Sequence, residues 1–343
     1  MRAAVLRDGE LLVRDDVAEP VPGPGQVLVQ VKACGICGSD LHFAKHGADM
    51  LALGQQMEGV PARSGEPLDL SQDVFMGHEF AGEVLEAGPD AEAPPAGTPV
   101  TAFPILLRSD GGVDPIVYSN RVAGGYGERL LLSAPLLLPV PNGLLTHLAA
   151  LTEPMAVGLH AVNRSKIEQA EKAVVLGCGP VGLAVIGALK IRGVDTIIAA
   201  DYSPARRALA AKLGATDVVD PREETAWARA GSAAPLVVFE AIGVPGILDE
   251  ILRYAPAQSR AVVVGVCMNA DTVNPYFGIS KELSLQFVLG YTPEEFAASL
   301  RSIAEGDIDV APLVTARVGL DDVPWAFEAL GNPEEHCKII VEP

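Results

Sequence analysis

Residues 171–182 read EKAVVLGCGPVG, an apolar run that ends in three closely spaced glycines. The run favours a buried strand, Gly177–Gly182 fits the pattern G-x-G-x-x-G, and residues 181–190 have helical spacing. Alone, the glycine pattern is weak. Here it follows a predicted strand and opens a predicted helix, and Asp201 closes the next predicted strand 19 positions after Gly182. The stretch therefore predicts the first strand-turn-helix unit of an α/β fold.

The glycine turn in this context predicts a dinucleotide site. Without side chains in the way, backbone N–H groups can approach a pyrophosphate, which the N-terminus of the following helix then stabilises. A carboxylate at Asp201 is expected to accept hydrogen bonds from the ribose hydroxyls and to repel a 2′-phosphate, which favours NAD over NADP. Arg206 would soften that preference if it pointed back toward the ribose. The candidate cofactor-binding residues are Gly177, Gly179, Pro180, Val181, Gly182, Asp201 and Arg206. The alternative is a glycine-rich turn without a ligand.

Strands and helices alternate after about Glu153, whereas the chain before about Leu151 is predicted to be mostly β, with short strands separated by prolines. Repeated βαβ units predict a doubly wound parallel sheet. A helix and two strands near the C-terminus are expected to return to the first, β-rich part. The segments predicted in these regions are strands at 27–32, 81–87, 196–201, 217–220, 236–240, 261–265, 314–318 and 338–341, and helices at 204–213 and 293–305.

Length, charge and cysteine content limit the function classes. The 343 residues suffice for two domains, each with its own core. A formal net charge of −19, with no compensating run of Lys or Arg, disfavours nucleic acid and anionic membranes as partners. The first residues carry charges too early for a secretory signal, so a cytoplasmic location is expected. Five cysteines, an odd number in so long a chain, argue against a disulfide framework.

Two short segments of the first part predict a metal site. Gly35–His42, with the sequence GICGSDLH, supplies the thiol of Cys37, and the segment GHE supplies the imidazole of His78 and the carboxylate of Glu79. This mixed ligand set suits Zn²⁺ better than Mg²⁺ or Ca²⁺. Three protein ligands would leave a position open for an alcohol, whose proton then becomes easier to lose. Glu153 is a further carboxylate that would bind zinc directly or hold a zinc-bound water.

Other readings of these segments remain open. Cys34 and Cys37 have the spacing of one knuckle of a four-cysteine zinc site, but a second knuckle is missing from the sequence, so Cys34 is expected to be a small buried residue. The pair His78-Glu79 would otherwise be a strand start with a solvated carboxylate. His42 is a candidate proton relay, because an imidazole exchanges protons near neutral pH, and the alternative is a structural histidine.

Together these motifs resemble the zinc-dependent medium-chain alcohol dehydrogenases, and in particular their sorbitol and polyol branch. The resemblance implies a GroES-like β-barrel catalytic domain over residues 1–152, completed by 291–343, and a Rossmann NAD-binding domain over 153–290. It also implies a homodimer or homotetramer and one catalytic zinc ion per subunit. The matching segments, in the family's order, are Gly35–His42, Gly77–Glu79 with Gly82, Gly124–Glu128, Glu153-Pro154 and the glycine turn.

The resemblance also implies roles for individual side chains. Cys37 and His78 look like zinc ligands, with Glu79 or Glu153 as the carboxylate contributor. Ser39 looks like the hydroxyl that takes the proton of the alcohol and passes it through the nicotinamide ribose to His42. Hydride then moves from the carbinol carbon to the nicotinamide.

The sequence departs from the family pattern in two places. No cysteine occurs between Ala91 and Asn120, where many relatives carry four, so the structural zinc lobe is absent. Cys37 and His78 are 41 residues apart, which is longer than usual. The extra length lies in Phe43–Phe75, a weakly periodic segment that is expected to be a surface excursion and to shape the substrate pocket.

The leading hypothesis is a zinc-dependent oxidoreductase that transfers a hydride between a secondary alcohol or polyol and NAD, giving a ketone. A zinc-free reductase of the quinone or enoyl type on the same fold is the second hypothesis, against which Cys37 and His78 argue. A third, from another class, is a cofactor-binding protein without turnover. It predicts NAD binding but no NADH production from any alcohol.

Overall fold

The computed structural model describes residues 1–57, 67–232 and 234–343. The strands are β1 (Ala3–Arg7), β2 (Glu10–Arg14), β3 (Gln26–Gly35), β4 (Val74–Phe75), β5 (Glu79–Ala87), β6 (Pro99–Ala102), β7 (Ile105–Leu107), β8 (Val113–Pro115), β9 (Arg129–Ser133), β10 (Leu137–Pro139), β11 (Lys172–Leu176), β12 (Thr196–Ala200), β13 (Asp217–Val219), β14 (Leu236–Glu240), β15 (Arg260–Val263), β16 (Ser284–Phe287), β17 (Val314–Val318) and β18 (Lys338–Val341). The helices are α1 (Gly38–Gln55), α2 (Thr146–Ala149), α3 (Thr152–Ser165), α4 (Pro180–Arg192), α5 (Pro204–Leu213), α6 (Ala226–Ala230), α7 (Ile247–Tyr254), α8 (Pro275–Lys281), α9 (Pro293–Glu305) and α10 (Val323–Ala329).

Six strands form a parallel sheet in the order β13-β12-β11-β14-β15-β16. Successive residues of β11 point to opposite faces, so Ala173 and Val175 enter one buried cluster and Val174 and Leu176 enter another. Both faces of the sheet are therefore covered, as a parallel sheet requires. The predicted α/β class and doubly wound sheet are confirmed.

The β-rich part is built around β3. In the seven-stranded sheet the order is β10-β6-β5-β3-β18-β17, and β9 also pairs with β3. The late strands β17 and β18 extend this sheet, since β18 pairs antiparallel with β3. The first and last parts of the chain thus share one sheet, and its centre lies beside the motif that contains Cys37.

A long helix, α1, follows Cys37 directly, although the sequence predicted only a weakly periodic excursion from Phe43 onward. The helix contains a break at His46, whose backbone is non-helical (φ −132°, ψ 23°). The ring of Phe43 is buried and stacks on Tyr118 with 3.9 Å between centroids. Residues 58–66 of the predicted excursion lie outside the described residues.

The cysteine-free segment between 91 and 120 contains the hairpin of β7 and β8. Arg108 and Arg121 both reach Oδ1 of Asp114 at 3.3 Å, and Leu107 N–H donates to the hydroxyl of Ser133. Ion pairs and backbone hydrogen bonds therefore hold this hairpin. Within the described ranges, no helix has the length and apolar character needed to span a bilayer.

Candidate active site

Cys37 lies at the N-terminus of α1, where its backbone is extended (φ −84°, ψ 151°) and the helix begins at the next residue. Its N–H donates to Oδ2 of Asp40 at 3.1 Å, and the N–H of Asp40 donates to the carbonyl of Cys37 at 3.1 Å. This reciprocal turn fixes the position of a half-buried thiol. The thiolate is the form of a cysteine that binds metals.

His78 is buried immediately before β5. Gly77, before it, has a φ of +96°, and a Cβ there would lie 2.8 Å from the backbone nitrogen of Tyr126, so glycine is required. The imidazole faces Asp40, whose Oδ2 accepts a hydrogen bond of 2.6 Å from the Tyr126 hydroxyl. Burial opposes protonation of His78, but the Asp40 carboxylate and Cys37 outweigh it and raise the pKa of His78 well above its usual range.

Glu153 is buried in the first turn of α3. Burial raises the pKa of Glu153 to about 7. The charge of His78 opposes this rise, and the charge of Glu79 adds to it. The hydroxyl of Tyr291 forms a hydrogen bond with Glu153. The Tyr291 ring packs against Phe103 and Phe296, with centroids 5.2 and 5.6 Å away, so an aromatic wall stands beside this carboxylate.

The described residues include no group of three His, Cys, Asp or Glu side chains already arranged to hold a metal ion. The identity of the donors nevertheless fits zinc. Cys37 forms a hydrogen bond with His78, and Glu153 interacts electrostatically with the same imidazole, which brings together a thiol, an imidazole and a carboxylate. On its other side, Nδ1 of His78 faces a carboxylate, as a zinc-binding histidine commonly does. The ligand set Cys37, His78, Glu79 and Glu153 stays a prediction.

The candidate relay residues lie on the first turns of α1. Ser39 is half-buried and His42 is exposed. Partial burial, followed by the charges of His46 and Lys45, lowers the pKa of His42. The relay through Ser39 and His42 also stays a prediction.

The glycine turn joins β11 to α4. Gly177 has a φ of +90°, and a Cβ at Gly182 would lie 1.9 Å from the carbonyl oxygen of Gly177, so both positions need glycine. Gly179, the N-cap of α4, differs because no atom of the described residues lies within 4 Å of where its Cβ would be. Open space next to the N-terminus of a helix is the arrangement that a pyrophosphate needs.

Asp201 follows β12 and is bonded to the glycine turn. Its Oδ2 accepts from the N–H of Cys178 and its Oδ1 from the N–H of Ser203, both at 2.8 Å. The carboxylate therefore also supports the turn. Nε of Arg206 is buried without a hydrogen-bond partner in the described part of the chain. The charge of Arg206 opposes the rise that burial causes in the pKa of the Cys178 thiol. An unpaired cationic donor beside the turn fits an anionic ligand.

Several side chains of the candidate site were not singled out from the sequence. Asp40 and Tyr126 lie inside motifs that were recognised, but no role was assigned to them. Lys338 opens a strand that is otherwise apolar, and a charged residue there is the one signal that could have indicated a buried partner. For Tyr291 the sequence offers no signal.

Comparison with known proteins agrees with this geometry. Residues 23–142 match the family model for the alcohol dehydrogenase GroES-like domain, and residues 180–305 match that for the zinc-binding dehydrogenase. The chain is 34% identical to (R,R)-butanediol dehydrogenase of Bacillus subtilis (strain 168), with 100% of each chain covered. It is 27% identical to sorbitol dehydrogenase of the same organism, with 100% of this chain and 97% of the relative covered.

A crystal structure described as a zinc-binding dehydrogenase from Sinorhizobium meliloti 1021, bound to NADP, superposes with a TM-score of 0.82 at 26% identity. The alignment covers 100% of this chain and 99% of that one. The fold and these matches thus define an oxidoreductase of the alcohol dehydrogenase type. The chain belongs to the zinc-dependent medium-chain dehydrogenase family, among its alcohol and polyol dehydrogenases, whose cofactors are zinc and a nicotinamide dinucleotide. The predicted family, enzyme class and pair of domain folds are confirmed.

Proposed function

We propose that this enzyme oxidises a secondary alcohol or polyol to a ketone with NAD, and that a vicinal diol is its preferred substrate class. The observation that carries the proposal is the cluster of Cys37, His78 and Glu153, which come from three distant segments of the chain and interact in one buried site. The similarity to butanediol and sorbitol dehydrogenases supports a substrate with adjacent hydroxyl groups.

In the proposed site, Cys37, His78 and a carboxylate hold the metal. When bound, zinc supplies a Lewis acid for the alcohol oxygen, and NAD supplies the hydride acceptor. The Ser39 hydroxyl would accept the proton of the alcohol, and the imidazole of His42, which is exposed, would release it to solvent. The aromatic wall of Phe103 and Tyr291 limits the access of water to this side of the site.

The cofactor is proposed to be NAD, because a carboxylate at Asp201 disfavours the 2′-phosphate of NADP. The NADP-bound structure with the same fold makes a direct comparison necessary. The unpaired Nε of Arg206 supports the proposal that this side chain binds the ribose or a phosphate. Both cofactors therefore belong in every assay.

The decisive experiment is a panel of diols, polyols and simple alcohols, in which NADH or NADPH formation is followed by its absorbance and the purified enzyme is analysed for zinc. We expect turnover with NAD and about one zinc per subunit. Cys37→Ser and His78→Ala should abolish turnover while NAD binding persists. Cys267→Ser is the matched control, since this thiol is free and exposed.

The other hypotheses give different results in the same experiment. Turnover that survives a strong chelator, in protein with little zinc, would indicate a zinc-free reductase. NAD binding with no product from any alcohol would indicate a protein without turnover. Unchanged turnover in Cys37→Ser would remove this thiol from the site.

The proposed homodimer would form through β16. This strand lies at one edge of the parallel sheet; its last residue, Phe287, is 68% exposed, and Leu289, two positions later, is 89% exposed. An exposed apolar edge pairs readily with another chain, and a two-fold axis would place two copies of β16 side by side. Phe287→Lys with Leu289→Lys should give a monomer by light scattering, whereas Val21→Lys, at another exposed apolar position, should not.

The proposed domain limits are 1–152 with 291–343 for the catalytic domain and 153–290 for the nucleotide domain. Pairing of β18 with β3 supports the assignment of the C-terminal residues to the catalytic domain. A cytoplasmic location is supported by the five cysteines, all of which are free thiols.

A further inference from the structure

Lys338 is a buried cation next to the candidate metal site. Lys338 lies at the start of β18 and is 2% exposed, and Glu79 is 0% exposed. Nζ donates to Oε1 and Oε2 of Glu79 at 2.7 and 2.8 Å and to the carbonyl oxygen of Ile36 at 2.9 Å. These acceptors satisfy the donors of an ammonium group that water does not reach.

The two partners of Lys338 adjoin the two predicted ligands. Ile36 immediately precedes Cys37, and Glu79 immediately follows His78. One ammonium group therefore connects the backbones that carry the thiol and the imidazole. The connection crosses three strands of one sheet, because Gly35 in β3 pairs with Glu79 in β5 on one side and with Ile340 in β18 on the other.

The backbone is shaped to receive the Glu79 carboxylate. A Cβ on Gly35 would lie 2.0 Å from Oε2 of Glu79 and 3.1 Å from its Cδ. The carboxylate thus packs directly on the backbone of β3, in space that exists only because residue 35 is glycine. Both carboxylate oxygens accept from Lys338, so each already has a cationic partner.

A buried ion pair is seldom retained for stability alone. Desolvation of two charges offsets much of their attraction, and apolar replacements of similar volume are often neutral or stabilising, whereas loss of one partner leaves a costly buried charge. Without Lys338, the buried charge of Glu79 would be left unpaired, one residue away from the predicted ligand His78. The ion pair therefore affects which carboxylate is free to bind the metal.

We propose that Lys338 is a positioning residue of the metal site, which keeps Glu79 out of the ligand set and fixes the spacing between Cys37 and His78, so that Glu153 is the carboxylate ligand. This inference rests on the proposed zinc site. It predicts that Glu79 and Glu153, two buried carboxylates in one site, respond differently to the same substitution.

The test is replacement of the metal by Co²⁺, whose visible spectrum reports both a thiolate ligand and the coordination geometry. We expect Glu79→Gln to keep the wild-type cobalt spectrum and Glu153→Gln to change it. Lys338→Met should release Glu79 to the metal, alter the d–d bands and lower kcat by about 10–100-fold, the usual effect of disturbing a residue that orients metal ligands. Lys338→Arg should retain the spectrum.

The double variant Lys338→Met with Glu79→Gln removes both charges at nearly constant volume and leaves no carboxylate at residue 79 to bind the metal, so its spectrum should be closer to that of the wild type than the spectrum of Lys338→Met. If Lys338→Met alone does not fold, the comparison of Glu79→Gln with Glu153→Gln decides which carboxylate binds the metal. A merely structural lysine would change the melting temperature and leave the cobalt spectrum of folded Lys338→Met unaltered, and this result would overturn the inference. A spectral change in Glu79→Gln equal to that in Glu153→Gln would also overturn it.

Failure of the proposed site itself gives a separate result. If wild-type protein binds no cobalt, or if its thiolate band persists in Cys37→Ser, the metal site is wrong and the inference falls with it. If wild-type protein shows a thiolate band that Cys37→Ser abolishes, the site stands, and the Lys338 variants then test the inference alone.

Discussion

Nδ1 of His78 lies 3.5 Å from Oδ1 of Asp40, and both atoms are buried. The other oxygen of Asp40 accepts from the Tyr126 hydroxyl and from the N–H of Cys37. One carboxylate thus orients the imidazole and, through the helix turn, the thiol. The arrangement leaves Nε2 of His78 as the nitrogen that would face a metal.

Asp40→Asn should therefore lower zinc affinity by about 10–100-fold, because the substitution keeps the size of the side chain and removes the charge that supports His78. Zinc content after dialysis against a graded chelator measures the effect. Asp49→Asn, at an exposed position of α1, is the matched control and should retain zinc. Equal zinc retention in the two variants would remove Asp40 from this role.

The glycine turn offers a pair of substitutions with opposite expectations. Gly182→Ala places a Cβ 1.9 Å from the Gly177 carbonyl oxygen, and such overpacking against backbone should cost about 1–3 kcal/mol of folding free energy. Gly179→Ala meets no described atom within 4 Å and should leave the melting temperature unchanged.

The Gly179→Ala variant should instead bind NAD more weakly, by tenfold or about 1.4 kcal/mol, because its methyl group occupies the expected path of the pyrophosphate. Calorimetric titration with NAD measures this difference. Wild-type affinity in a folded Gly179→Ala protein would be evidence against a dinucleotide at this turn.

Asp201→Asn should reduce the preference for NAD over NADP by about tenfold, since it removes the negative charge that is proposed to repel the 2′-phosphate. The N–H groups of Cys178 and Ser203 each donate to one oxygen of the Asp201 carboxylate. An asparagine has only one acceptor oxygen, so one of these N–H groups loses its acceptor, which should cost about 1–3 kcal/mol of stability. Ratios of kcat/KM for the two cofactors and thermal melts measure both effects. Asp195→Asn, an exposed residue before β12, is the control.

The ion pair of Glu171 with Arg260 should make stability depend on pH in the acid range. Two hydrogen bonds of 3.0 and 2.8 Å from Arg260 lower the pKa of Glu171. A carboxyl whose pKa is depressed by folding stabilises the native state above its unfolded pKa of about 4.3, and this contribution disappears as the pH falls through the lower folded pKa.

Glu171→Gln should accordingly have a lower melting temperature than wild type at pH 7. The loss in the free energy of unfolding should be less than about 1 kcal/mol, because the pair is partly exposed, and the difference should vanish in strong acid. Melting curves across the acid range provide the measurement. A difference that stays constant with pH would mean that the charge of Glu171 does not contribute.

Local sequence patterns predicted the parallel sheet well. The strand at 236–240 and the helices at 204–213 and 293–305 have the predicted bounds, because apolar runs and N-terminal prolines define them locally. Helix α1 was missed from Phe43 onward. Its break at His46 and its glycines interrupt the periodicity, and of its residues only Asp40, Phe43 and Gly47 are buried.

Local sequence patterns could not predict the interactions within the candidate site. Residue types placed Cys37, His78 and the two glutamates together as a hypothesis, but 259 positions separate Glu79 from Lys338 and 86 separate Asp40 from Tyr126. Pairings at such separations depend on the register of whole strands. The sequence could therefore indicate which groups are chemically suited to a metal, and it could not show which carboxylate a lysine had already engaged.

The place of β18 between β3 and β17 has a consequence for biosynthesis. The ribosome makes β3 early, then the entire six-stranded sheet, and only afterwards the strand that lies against β3. Until residue 341 has left the exit tunnel, Cys34 and Gly35 of β3 lack their partners in β18, and Glu79 lacks Lys338. The six-stranded sheet can form during translation, whereas the candidate site must wait for the chain to come back to its beginning.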